Sequence, residues 1–126
     1  ISDEDSASTD AKSLSYTFTA PIGGFGLIDT EILGSLSPGA RILSVLVDTT
    51  TPFTGHSSTP EIEIGISTDT DLLQTADQND LESIGQYTTT PGYVYPATNT
   101  TELSVQARLT HNGATAGEVT ITITYV

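Results

Sequence analysis

The last ten residues alternate without a break. Val119, Ile121, Ile123 and Tyr125 fall on one side of an extended chain, and Thr120, Thr122 and Thr124 fall on the other. A period of two with β-branched residues on both sides predicts a half-buried strand over 117–126 whose outer side is at ease in water. The same period recurs upstream. Leu14, Tyr16 and Phe18 alternate with Ser and Thr over 13–19, and Ile62, Ile64 and Ile66 alternate with Glu61 and Glu63 over 61–67. The most apolar stretch, 40–50, puts Leu43, Val45 and Val47 on one face and Ile42 and Leu46 on the other, which predicts a central strand. A less regular run over 25–33 (Phe25, Leu27, Ile28, Ile32, Leu33) and a clearer one over 103–109 complete the main set. Short strands are expected at 85–90 and 92–95.

Breakers separate these runs. Pro21-Ile22-Gly23-Gly24 ends the first, Ser37-Pro38-Gly39 is a turn, and 52–60 is a loop of Ser, Thr, Gly and Pro. Over 68–83 the period of two is lost. Asp69-Thr70-Asp71-Leu72-Leu73 predicts one short helical turn near 69–76, with Thr68 or Asp69 as its N-cap. Asn99-Thr100-Thr101 is a turn, and His111-Asn112-Gly113 predicts a tight hairpin joining the last two strands. Seven to eight strands at this spacing predict an all-β chain, an antiparallel β-sandwich of jelly-roll type. Residues 1–12 hold four acids and little to bury, so they are expected to form an acidic flexible arm ahead of a single sandwich domain over 13–126.

Composition narrows the function. A chain of 126 residues with 36% hydrophobic positions can build one modest core, suited to a thin two-layer sandwich and not to a thick α/β enzyme. The absence of Cys removes disulfides, thiolate metal sites and thiol nucleophiles. Sixteen acids against Lys12, Arg41 and Arg108 give a net charge of −13. Such a balance repels nucleic acid and anionic membranes, and it serves solubility or life in a salty medium. No apolar run is long enough to cross a bilayer as a helix. Ile1 is not a residue that normally follows a removed initiator Met, so the gene product is expected to extend further at its N-terminus.

Candidate chemistry is sparse. Asp69, Asp71, Asp77, Asp80 and Glu82 gather hard oxygen donors of the kind calcium takes, but the EF-hand spacing and its Gly are absent. Local turns and caps account for the same acids, so no metal or other cofactor is expected. His56 and His111 sit in loops without an oriented nucleophile, and Gly23-Gly24-Phe25-Gly26 has no Lys and no strand-to-helix context. No carboxylate pair stands out for glycoside hydrolysis, and there is no Trp to line a sugar cleft. Asn99-Thr100-Thr101 matches the glycosylation sequon. Tyr87, Tyr93 and Tyr95 are candidates for an aromatic interaction patch, and Arg41 and Arg108 for ion pairs or an interface.

Three stretches carry a family resemblance. They are Ser37-Pro38-Gly39-Ala40-Arg41-Ile42-Leu43 leading into Val45–Phe53, then Ile62-Glu63-Ile64-Gly65-Ile66-Ser67-Thr68-Asp69-Thr70-Asp71-Leu72-Leu73, and finally Gly113-Ala114-Thr115-Ala116-Gly117-Glu118-Val119 running to Tyr125. Together they resemble a β-domain of head-decoration and fibre proteins of tailed viruses of bacteria or archaea. The resemblance covers 37–126 and carries no shared active site. It implies a non-enzymatic virion component, foremost a capsid decoration protein. Such a protein would dock on the major capsid protein or other virion proteins at the external surface of the particle, as a homotrimer. A tail-fibre or receptor-binding domain that recognises host glycan or protein is the alternative, followed by a carbohydrate-binding module.

Overall fold

The computed structural model describes residues 11–24 and 26–126, so the acidic stretch 1–10 and Phe25 lie outside the described residues. Eight strands follow in order: β1 Lys12–Thr19, β2 Ile28–Leu36, β3 Ile42–Thr54, β4 Glu61–Ile66, β5 Asp69–Gln74, β6 Gly85–Thr89, β7 Leu103–Thr110 and β8 Ala116–Tyr125. They form two four-stranded sheets, ordered β1-β8-β3-β6 and β2-β7-β4-β5, and every neighbouring pair is antiparallel. The chain passes repeatedly from one sheet to the other, and this winding is that of an eight-stranded jelly roll.

The core lies between the sheets. Along β8, Val119, Ile121 and Ile123 have no exposed surface, and they meet Val45 and Val47 of β3 from the same sheet and Ile62, Ile64, Val105 and Leu109 from the other. Each such side chain contributes about 1.5–3 kcal/mol by leaving water. The threonines between them face outward and pair across strands, as where Thr17 and Thr120 share a 2.8 Å hydroxyl hydrogen bond. Gly117, at φ +141°, lies where a Cβ would overlap the Phe53 ring, so the absence of a side chain lets β8 start against that ring.

Four expectations need correction. First, β7 and β8 do not form a hairpin, because they lie in different sheets. Asn112 (φ 51°) and Gly113 (φ 77°) do make a tight turn, but it carries the chain across the sandwich. An Asn-Gly pair specifies how the chain reverses, while the partner of each strand is set by burial of its apolar face. Second, Asp69–Gln74 is strand, and the helical turn follows it as a 3-10 turn at Ala76–Gln78 capped by Thr75. The Ser67-Thr68 turn brings β5 back against Gly65, where a Cβ would overlap the Asp69 carbonyl oxygen. Third, Ile42 shares the buried face of Val45 and Val47, and Leu43 is only half-buried. A register shift between Ile42 and Ser44 inserts one residue and reverses the parity. Fourth, residues 92–95 contribute a single bridge, Arg41 to Val94, in place of a strand.

Candidate functional site

Strand β2 departs most from the usual pattern. Its residues 28–32 read Ile-Asp-Thr-Glu-Ile, and the ordinary reading would bury the isoleucines and expose the acids. The structure does the reverse. Asp29 and Glu31 stand opposite Leu109 and Ala107 of β7, whose side chains are fully buried, so both carboxylates are on the inner side of the sheet. Ile28 and Ile32 oppose Thr110 and Gln106 on the outer side and are 45% and 56% exposed, with Leu27 beside them at 50%. The cause is a bulge between Ile32 and Gly34. Leu36 must face the core, and the one extra residue at Leu33 switches every position before it to the opposite face.

This strand borders its sheet. β7 pairs with one side of it, and among the described residues no strand pairs with the other. Across the mouth of the sandwich, Leu14 of β1 packs over Gly34. Tyr16 of β1 feels both carboxylates: its phenol is pushed up by burial first, then by the charges of Glu31 and Asp29. The carboxyl of Glu31 is also raised, chiefly by a hydrogen bond shared with Asp29, then by partial burial and the charge of Asp29. The loop ahead of β2 is pinned. The carbonyl of Leu27 accepts hydrogen bonds from the amides of His111 (2.9 Å) and Asn112 (3.3 Å), while the Asn112 side-chain amide donates to the carbonyls of Ser58 and Thr59. The exposed apolar side chains are therefore held on an anchored backbone.

The residues singled out from sequence are distributed elsewhere. Tyr95 is buried, with its hydroxyl donating to the Thr101 carbonyl at 2.9 Å. Tyr93 is half-buried against the core, and Tyr87 is half-buried on β6 opposite Val47. The three tyrosines thus present far less aromatic surface than an exposed patch would. Arg41 is exposed next to its bridge with Val94, whereas Arg108 reaches Glu63 at 3.9 Å on the outer face of β7. Glu63 also accepts a hydrogen bond from Thr70.

The five acids of the 69–82 segment do not converge. Asp69 is raised mainly by a hydrogen bond its carboxyl shares with Asp71, Asp77 accepts from Thr75, Asp80 accepts from the Glu82 amide, and Glu82 pairs with His56 at 3.1 Å. Among the described residues no three His, Cys, Asp or Glu side chains could hold one metal ion. His111 is buried, with Nδ1 accepting from the Gly113 amide. A shallow cavity of about 350 Å³ opens near Lys12, Ser37, Ala40 and Tyr125, and Lys12 is the one charged side chain lining it.

Sequence reasoning missed the apolar group on β2. Its signal, the alternation of isoleucines with acids over 28–32, was in plain view, but the bulge that sets its sense was not. Ile84 and Val94 are also exposed, at 74% and 48%, but each stands alone in its part of the chain, which is ordinary for a surface.

No family model matches the chain, and no curated protein matches it. Solved structures do. A chain from the capsid asymmetric unit of cyanophage Pam1 superposes with a TM-score of 0.65 at 19% identity, covering 92% of this chain and 82% of that one. A chain from the acid-stable capsid of the Helicobacter pylori bacteriophage KHP30 does so with a TM-score of 0.65 at 15% identity, covering 91% and 86%. At these identities the likeness is one of fold.

Proposed function

We propose that this protein is a non-enzymatic structural component of a virion, a decoration protein that docks on the major capsid protein at the outside of the shell. The observation that carries this reading is the extent of the likeness. Nearly the whole described jelly roll is shared with chains from two phage capsids, and those chains are themselves matched over more than four-fifths of their length. The composition is in keeping with it. A net charge of −13 suits contact with protein and opposes contact with a packaged genome, and no helix among the described residues is long and apolar enough to cross a membrane. We read the jelly roll, which begins with Lys12 in β1, as the docking domain, with the acidic stretch ahead of it apart, and a homotrimer as the assembled form, since three-fold positions recur on capsid lattices.

The test is a shell-binding assay. The purified chain is added to capsids stripped of accessory proteins, and bound copies are counted by quantitative mass spectrometry. Saturation at a number matching the lattice symmetry is the expected result, and native mass spectrometry should show trimers. Failure to bind shells, with binding to host cells or glycans instead, would move the chain to the tail-fibre class.

A further inference from the structure

The outward apolar side chains of β2, together with the carboxylates on the same strand, form a surface whose partner can be specified by chemistry. We propose that the β2 edge, through Leu27, Ile28 and Ile32, docks on a lysine- or arginine-bearing segment of the shell protein and not on a second copy of this chain. This inference rests on the capsid reading above and adds to it the docking face and the character of the partner.

Three observations support it. The side chains are grouped: Ile28 and Ile32 lie on one face of one strand with Leu27 adjacent, all about half exposed, whereas the other exposed large hydrophobics stand singly. They are also held in place, because the Leu27 carbonyl is fixed by the amides of His111 and Asn112, so little ordering cost falls on binding. Finally, the charge selects the partner. Asp29 and Glu31 lie along the same open edge, and the nearest cation on the outer face, Arg108 opposite Thr30, is directed to Glu63. Inward-pointing charges on an edge strand guard against pairing with an identical edge, since two such strands would bring four carboxylates together. The same charges attract a basic strand or loop, which can neutralise them while its apolar side chains cover the isoleucines.

The experiment uses stripped shells and the full chain. Ile28→Thr with Ile32→Thr keeps β-forming residues at exposed positions, so the melting temperature should hold while shell affinity falls about tenfold or more. Asp29→Asn with Glu31→Gln should slow association and flatten its dependence on salt. Zero-length carbodiimide coupling, which joins carboxylates to amines, should link Asp29 or Glu31 to lysines of the shell protein. Wild-type binding with unchanged affinity in the Ile28/Ile32 variant would overturn the inference and leave the capsid reading standing. Coupling only to Lys12 of a second copy would also overturn it. A wild-type chain that does not bind shells would overturn both.

Discussion

On the outside of the β1-β8-β3-β6 sheet, Ser13, Ser15 and Thr17 of β1 lie against Thr124, Thr122 and Thr120 of β8, a ladder of small hydroxyls that ends at Glu118, whose carboxylate accepts hydrogen bonds from Thr19 and Thr50. On the outside of the β2-β7-β4-β5 sheet, Ile28 and Ile32 stand exposed beside a row that includes Arg108, Glu61 and Glu63. Both faces cover the same core and obey the same alternation, so stability does not explain why they differ. Hydroxyl-bearing β-branched residues hold a strand in shape and offer neighbours little to bind. Exposed isoleucines forgo the gain of burial, and the charges beside them, at ease in water, give a partner something to recognise. The contrast separates what the fold requires from what a partner would read.

The strongest challenge to that contrast is a change in the shared core. Ile121→Ala should lower the unfolding free energy by about 2–4 kcal/mol in urea titrations, while the fraction that remains folded binds shells as before. Next is Gly65→Ala, which drives a methyl group into the Asp69 carbonyl and should destabilise by about 1–3 kcal/mol. Hydrogen exchange should locate that damage in β4 and β5, with the β1–β8 pairing still protected. A loss of protection spread evenly over both sheets would show that they do not yield separately.

A smaller effect should appear with pH. Glu31 holds its proton above its ordinary value of 4.5 in the folded chain. Its stabilising contribution is therefore present below that value and is lost as pH rises through the higher folded value. Glu31→Gln, which keeps the carboxyl in a permanently neutral form, should melt above the wild type at neutral pH and converge with it in acid. A gap that widens on acidification would mean that the inner carboxylates are not sharing a proton. The smallest effect belongs to the hydroxyl ladder. Thr17→Val with Thr120→Val should shift stability by no more than about 0.5 kcal/mol and leave shell binding intact. A marked loss of binding there would reassign the docking face.

Much of the fold could be read from alternation alone. It puts Val119, Ile121 and Ile123 on one side of β8, Ile62 and Ile64 on one side of β4, and Phe18 opposite the hydroxyls of β1, and all six are buried. Alternation, with the spacing of the breakers, also gives the all-β sandwich class, though not which strands pair, as the partners of β7 and β8 show. It failed where one residue changes parity, as at Leu33 and beside Ile42, because a bulge leaves no mark in composition. It failed at Asp69–Gln74, where two aspartates ahead of two leucines look like a helix start and a tight turn against Gly65 decides otherwise. The tyrosines illustrate a different limit. Residue type suggested a binding patch, but the Tyr95 hydroxyl is committed to Thr101, a contact only the folded chain reveals.

The place of β8 has a further consequence, for how the molecule is made. It is the inner strand that joins β1 to β3, and its Thr120 meets a residue 103 positions earlier. During synthesis β8 emerges after every other strand, so until then β1 and β3 lack the neighbour that holds them together. The strands made before it must carry open edges until β8 emerges, and closing so long a loop makes folding slow. Acidic side chains spread through that waiting polypeptide keep copies apart until the last strand arrives.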